Sequence, residues 1–233
     1  MIDFAEFEKN IGVEFKDKEI LKTALTHRSY LNENVSTSGE KREHNERLEF
    51  LGDAVLELVI TEHLYKLFPD KPEGDLTSFR ASLVNANMLG EVARDLDYNK
   101  FLMLSRGEAK DVGRARRSIL ANAFESVAGA IYLDRGYDVV KDFLLRVLGP
   151  KIGEIVEKKL YRDAKSFFQE EAQERESVTP TYKVVKEWGP DHDRHFVVGV
   201  YLDKDLIAEG EGPSKQAAQQ KAAEIALKTK GWG

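Results

Sequence analysis

The stretch Asn45-Glu46-Arg47-Leu48-Glu49-Phe50-Leu51-Gly52-Asp53-Ala54-Val55 decides how most of this chain is read. It sits in an unbroken patterned run over residues 43–68, closed by Pro69, which predicts one long helix. At ~100° per residue, Glu46 and Asp53 fall within about 20° of each other, and Glu49 lies about 60° to one side. Three carboxylates therefore share a stripe, with Leu48, Leu51, Val55 and Leu58 expected on the opposite, buried face. Like charges at such spacings repel by a few tenths of a kcal/mol per pair (~0.2–0.5). A helix built only for stability would interleave lysines there, whereas hard divalent cations require carboxylate oxygens held together. A solvated acidic face and a cation site both fit the spacing. Glu57 extends the stripe as a solvated residue.

A second acidic position is Glu125 in Asn122-Ala123-Phe124-Glu125. Asn122 and Glu125 are three apart and face the same way on a helix. Ile119, Phe124, Val127 and Ile131 surround them, so the carboxylate needs a partner. Either a cation shared with Glu49 or a nearby arginine, Arg116 or Arg117, would supply one. The helix over residues 118–134 is unusually small-sided (Ala121, Ala123, Ala128, Gly129, Ala130), which implies a close neighbour.

Outward from these segments, residues 1–160 read as helix after helix. Phe4, Phe7 and Ile11 have helical spacing before Gly12, and Asp17 can cap a segment with Ile20, Leu21, Ala24 and Leu25 on one face. Residues 32–42 form a polar loop. A helix starting at Gly74-Asp75 would turn Leu76, Phe79, Leu83 and Leu89 inward. Residues 105–117 form a loop with glycine and arginine, and residues 137–159 form a last amphipathic helix. After residue 161 the pattern changes. A helix over 164–176 precedes three strands at 181–185, 195–202 and 206–210, and an alanine-rich helix follows, capped by Ser214. The expected fold is an all-α domain over residues 1–157, then a small α+β module (α-β-β-β-α) over 162–231.

The chain has 233 residues, 42% hydrophobic and 33% charged, with no cysteine. That composition is too apolar for a disordered tail and leaves no thiolate ligand, thiol nucleophile or disulfide. No run of ~18 apolar residues could span a membrane, and the first ten residues lack a signal-peptide core, so a cytoplasmic location is expected. The net charge of −6 does not by itself suggest a polyanion partner. Local basic patches or metal ions would have to do that work. Arg106, Lys110, Arg114, Arg116 and Arg117 make one such patch, expected beside the acidic site. His27 and Arg28 suit either a helix end or a substrate contact, and His44 and His63 are assigned to structure.

Taken together, the run from Asn45 to Val55 resembles the signature of the ribonuclease III family of double-strand-specific RNA endonucleases. So do Ile119-Leu120-Ala121-Asn122-Ala123-Phe124-Glu125 and Gly129-Ala130-Ile131-Tyr132-Leu133-Asp134. Ala24-Leu25-Thr26-His27-Arg28-Ser29-Tyr30 and Gly74-Asp75-Leu76 with Arg80-Ala81-Ser82-Leu83-Val84 are similar too. The resemblance covers the whole chain in order. It implies a homodimeric, all-helical nuclease domain with one acidic site per subunit. By position, Glu49, Asn122 and Glu125 would hold magnesium, or manganese in its place. Asp53 and Glu125 would be the catalytic acids, and Glu46 would be a signature acid on the dimer side. The implied chemistry is metal-assisted phosphodiester hydrolysis, leaving 5′-phosphate and 3′-hydroxyl ends, in the processing of rRNA and other structured precursors. Asn122 departs from the family, which often has Asp there. An amide oxygen can ligate a cation but brings no charge.

The second module resembles a double-stranded-RNA-binding domain through Pro180-Thr181-Tyr182, Gly189-Pro190-Asp191-His192 and Ser214-Lys215 leading into Gln220-Lys221-Ala222-Ala223. Such a domain recognises duplex shape across two minor grooves and the phosphates between them. By position, Gln169 and Glu170 would meet one minor groove and His192 the next. Ser214, Lys215 and the helix N-terminus would hold phosphates. Gln216 stands where a second lysine is common and Gln219 also lacks charge, so binding by this module alone should be weak and salt-sensitive. Two further functions remain open: a duplex-RNA-binding protein whose cleavage is weakened by Asn122, and, more remotely, a metal phosphatase for small substrates.

Overall fold

The computed structural model describes residues 4–34, 43–110, 113–157, 163–190 and 194–232. The chain divides into two compact units, Met1–Tyr161 and Arg162–Gly233.

The first unit is helical: α1 (Phe4–Ile11), α2 (Lys18–Ala24), α3 (Arg28–Glu33), α4 (Glu46–Leu67), α5 (Glu73–Leu83), α6 (Ala86–Asp95), α7 (Tyr98–Phe101), α8 (Arg114–Arg135) and α9 (Tyr137–Glu157), with a 3-10 turn at Glu108–Lys110. Asp17 caps α2 as its sequence position predicts, accepting from the Glu19 and Ile20 amides. The helix expected from Gly74 through Leu89 is broken instead. Asn85 leaves helical geometry and its side chain accepts from the Asn87 and Met88 amides, starting α6. The apolar spacing ran on across a cap that ended one helix and began the next. Likewise, the loop expected over 105–117 holds the 3-10 turn and the first turn of α8.

The core lies around α4 and α8, which pack along each other more extensively than any other pair of elements. Aromatic rings join the small helices to them. Phe7 meets Tyr98 and Phe101 at 4.9 and 5.1 Å, and Phe124 lies 5.7 Å from Phe143. Two bonds pin the two long helices to the end of α2, one at the start of α4 and one at the middle of α8. The Asn45 amide donates to the Thr26 carbonyl at 2.9 Å, and the buried Ser126 hydroxyl donates to the Ala24 carbonyl at 3.0 Å.

The small-sided face of α8 has its close neighbour in Gly52. A Cβ on Gly52 would fall 1.7 Å from the Glu125 carbonyl oxygen, and one on Gly129 would fall 2.3 Å from the Leu48 carbonyl oxygen. The helices therefore cross backbone on backbone. This crossing places Glu49 and Asp53 opposite Asn122 and Glu125. Leu48 and Val55 are buried as expected, but Leu58 is 57% exposed. Its azimuth turns it onto a surface stripe with Phe50 and Tyr65, away from α8.

The second unit follows the expected order: α10 (Ala164–Glu176), β1 (Thr181–Trp188), β2 (His195–Leu202), β3 (Asp205–Gly212) and α11 (Lys215–Lys230). The strands form one antiparallel sheet in the order β1-β2-β3. Val198 and Val200 are fully buried, and Phe168, Ala172, Ala222, Ala223 and Ala226 fill the space between sheet and helices. The alanines of α11 suit a helix lying flat on β3: a Cβ on Gly210 would come 2.1 Å from the Ala222 amide nitrogen.

Candidate nuclease site and RNA-binding surface

Glu125 is the carboxyl of the first unit raised furthest above its ordinary value among the described residues. Burial raises its carboxyl first, the charges of Asp53 and Glu49 add to that, and together they push it up to about 7. Glu49 is also raised, by burial and then by Glu46. A side-chain hydrogen bond from Asn122 opposes the shift, and Asp53 adds to it. A carboxylate accepts, so the Asn122 amide nitrogen donates to Glu49. Its carbonyl oxygen remains as the atom it could offer a cation. Four of the expected residues, Glu49, Asp53, Asn122 and Glu125, are thus brought together from two helices.

The alternative partner for Glu125 is not used. Arg116 Nε donates to Asn99 Oδ1 at 2.7 Å, and an Arg117 NH group donates to Asn87 Oδ1 at 3.0 Å. At ~100° per residue Arg116 lies about 180° and Arg117 about 80° round from Glu125, and both sit about two turns nearer the start of α8. The expectation that they border the acids is corrected accordingly; adjacency in sequence concealed their direction. Arg114's side chain lies outside what the structure describes.

Glu46 acts on Glu49 through its charge but finds its own partners elsewhere. Its carboxylate is 3.4 Å from Arg28 and 3.9 Å from His44 Nδ1. Glu57, expected to be solvated, pairs with Arg80 at 3.2 Å. His27 caps α3, its Nδ1 accepting from the Ser29 amide, and burial lowers its pKa. Gly52 is a site-shaping residue that the helical spacing did not single out, although the small residues of α8 already signalled close packing.

Among the described residues, no three His, Cys, Asp or Glu side chains are gathered tightly enough to hold a metal ion as they stand. The donor chemistry nevertheless fits a hard dication: oxygen donors only, three of them carboxylates, one of which is raised by burial and by the other two charges.

In the second unit, Gln169 and Glu170 are exposed on α10 and line a depression of ≈ 540 Å³ with Ser166, Gln173 and Glu174. The Ser214 hydroxyl accepts from the Ala217 amide at 3.1 Å, which secures the exposed N-terminus of α11. Lys215 Nζ lies 5.7 Å from the Phe196 ring centroid. His192 falls outside the described residues. Gln219 and Gln220 have a structural use that explains their lack of charge. Gln219 accepts from Lys165 Nζ at 2.9 Å and Gln220 from the Lys165 amide at 3.3 Å, tying α10 to α11. Lys230 pairs with Glu176 at 2.6 Å.

Residues 17–152 match the Ribonuclease-III-like family, and residues 164–230 match the double-stranded RNA binding motif. The chain belongs to the ribonuclease III family. It is 45% identical over 228 residues to Ribonuclease 3 of Nitratiruptor sp., covering 98% of this chain and 97% of that one. It is 42% identical to Ribonuclease 3 of Borreliella afzelii over 96% of this chain and 90% of the other. The nuclease domain of ribonuclease III from Campylobacter jejuni superposes with a TM-score of 0.57 at 39% identity, over 64% of this chain and 97% of that domain. That structure is titled for flexibility in the region of its own dimer formation. As a member of the ribonuclease III family, the chain is an endoribonuclease: a helical nuclease domain followed by a double-stranded-RNA-binding domain.

Proposed function

We propose that Glu49, Asn122 and Glu125 hold magnesium, or manganese in its place, and that Asp53 and Glu125 are the catalytic acids of double-stranded-RNA cleavage. The half-buried carboxyl of Glu125, raised to about 7 by burial and by the charges of Asp53 and Glu49, carries this reading. Three acids brought together, two of them half-buried, repel one another unless a cation completes them. When bound, the ion lowers the pKa of its water and neutralises charge on the phosphate oxygens. The chain's own groups do the rest. Asn122 holds Glu49 in its charged form by donating to it. Glu125, titrating near neutrality, can hold or release a proton at its carboxyl. Asp53, on the exposed side, faces the position of the scissile phosphate. The products carry 5′-phosphate and 3′-hydroxyl ends, and the targets are rRNA and other structured precursors in the cytoplasm. Glu125→Gln should abolish cleavage of a duplex while leaving its binding in place; normal cleavage by that variant would refute the assignment.

The protein acts as a homodimer in this reading. Phe50, Leu58 and Tyr65 are 83%, 57% and 72% exposed along one face of α4, a stripe too apolar for open water. Sedimentation of a 26.4-kDa species at micromolar concentration would oppose it. A second reading, duplex binding with weak or no cleavage, is favoured only by the missing charge at Asn122. Duplex left uncut at every magnesium and manganese concentration, with binding intact, would select it.

A further inference from the structure

We infer that the uncovered face of the β1-β2-β3 sheet docks on the same face of a second copy of this chain, a contact additional to the one proposed along α4. The helices α10 and α11 pack on the other side of the sheet, where Phe196, Val198, Val200 and Leu202 of β2 enter the core. Alternation sends Val197, Gly199 and Tyr201 to the uncovered side. Cross-strand partners share a face. The register therefore puts Lys183, Gly199 and Glu209 on one rung of that side, and Lys186, Val197 and Glu211 on the next. Leu206, paired with Tyr201, completes the face and is 49% exposed.

The charges on this face are sorted by strand. β1 carries both lysines and β3 both glutamates, and all four residues are exposed. A lysine and the glutamate of its own rung stand two strand spacings apart, about 9–10 Å. Each lysine leans over an aromatic ring instead. Lys183 Nζ lies 5.0 Å from the Tyr201 centroid, and Lys186 Nζ lies 5.2 Å from that of Trp188. Such contacts place an ammonium without cancelling its charge. Among the described residues, neither lysine nor Glu209 has an ion-pair partner, and Glu211 has only His195, at 3.7 Å.

One way of stacking two such faces satisfies these charges. A two-fold axis along β2 lays β1 of one copy over β3 of the other. Lys183 then meets the partner's Glu209, and Lys186 the partner's Glu211, at the same height along the strands. An axis across the strands would lay β1 over β1 and set like charges face to face. The first arrangement is the aligned packing of two sheets ~10 Å apart, and it is self-complementary, as a closed two-fold contact requires. The centre of the face is flat enough for it. A Cβ on Gly199 would fall 2.9 Å from Leu206 Cδ1 and 3.0 Å from Tyr201 Cε2, so these side chains lie over the glycine. Three strands of this length offer roughly 15 by 25 Å, less than the ~800 Å² per partner of a standard interface. The contact is therefore weak alone and effective between copies already held together. Because α10 and the start of α11 lie on the other side of the sheet, it leaves the RNA-binding residues proposed there open.

Val197 stands nearest the axis, and the chain has no cysteine. Val197→Cys in the full chain, treated with a bismaleimide of ~8 Å span, therefore reads the contact directly. At ~100 µM protein, suited to a weak interface, a covalent dimer should form without RNA. In that background, Lys183→Glu/Lys186→Glu and Glu209→Lys/Glu211→Lys should each lower the yield at least ~5-fold, because each sets like charges against one another. The two sets combined in one chain should restore the yield, which a folding defect could not do. Absence of a covalent dimer from Val197→Cys overturns the inference. So does a yield that either charge variant leaves unchanged, or that the combined swap fails to restore. Loss of ~10-fold or more in affinity for a short RNA duplex by Lys183→Glu/Lys186→Glu, with cross-linking unchanged, would assign the face to RNA and overturn it as well.

Discussion

Replacing Glu125 by glutamine should make the metal-free protein more stable at pH 8 while removing its cleavage. The folded state holds this carboxyl at about 7 against an ordinary value of 4.5. Because the folded pKa is raised, ionising Glu125 works against the fold. The cost is absent below about pH 4.5, grows as pH rises through the window to 7, and is complete above it. The gap corresponds to an upper bound of roughly 3 kcal/mol at ~1.4 kcal/mol per pH unit. Partial access of water to the side chain reduces this to about 1–2 kcal/mol. Glutamine keeps the shape and removes the charge. The nuclease unit of Glu125→Gln should then melt roughly 3–6 °C higher than wild type at pH 8 in EDTA. At pH 4.5 the two proteins should nearly coincide. Thermal unfolding at these two pH values, with and without magnesium, is the assay. Magnesium should stabilise wild type more than the variant, since only wild type keeps the full ligand charge. A variant less stable than wild type at pH 8, or an advantage that does not change with pH, would refute the argument.

The remaining predictions concern the crossing, the amide and the RNA module. Gly129→Ala places a methyl 2.3 Å from the Leu48 carbonyl oxygen and should destabilise the nuclease unit by about 1–3 kcal/mol in urea unfolding; an unchanged midpoint would show that the helices can part. Asn122→Asp exchanges a donor to Glu49 for a fourth negative charge, so the metal-free protein should lose about 1 kcal/mol at pH 8. The same variant should need several-fold less magnesium for half-maximal cleavage, measured as a metal titration of the initial rate. Ser214→Ala removes the cap of α11 and should cost about 1 kcal/mol in the second unit, with duplex affinity falling through loss of the ordered N-terminus.

Some of this was legible from spacing. α10 and the cap at Ser214 follow from local signals that carry their own hydrogen bonds, and tertiary contacts did not override them. Helical azimuth grouped Glu49 with Asp53 and Asn122 with Glu125, while the family resemblance assigned the two groups to one site. Other features depend on what lies across the gap. Leu58 has the same apolar character as Val55, yet only Val55 faces α8, so composition could not separate them. The start of β1 was read correctly but its C-terminal end was missed, because a bulge between Val184 and Lys186 interrupts the two-residue alternation, while Trp188 continues the pairing with His195. Arg116 and Arg117 were counted as charge near the acids, but charge along a chain has no direction until the helix supplies one.

The Gly52–Gly129 crossing has a consequence for how the nuclease unit tolerates change. Where two helices meet through side chains, a substitution in the core lets them slide, and whatever they carry shifts with them. Here the distance of closest approach is set by main-chain atoms, whose dimensions no substitution elsewhere can alter. The four polar residues hang from a hinge pin of fixed width, so the surrounding apolar packing can drift in composition without re-spacing them. Redesign of the donor set, residue by residue, can then proceed on a frame that stays still.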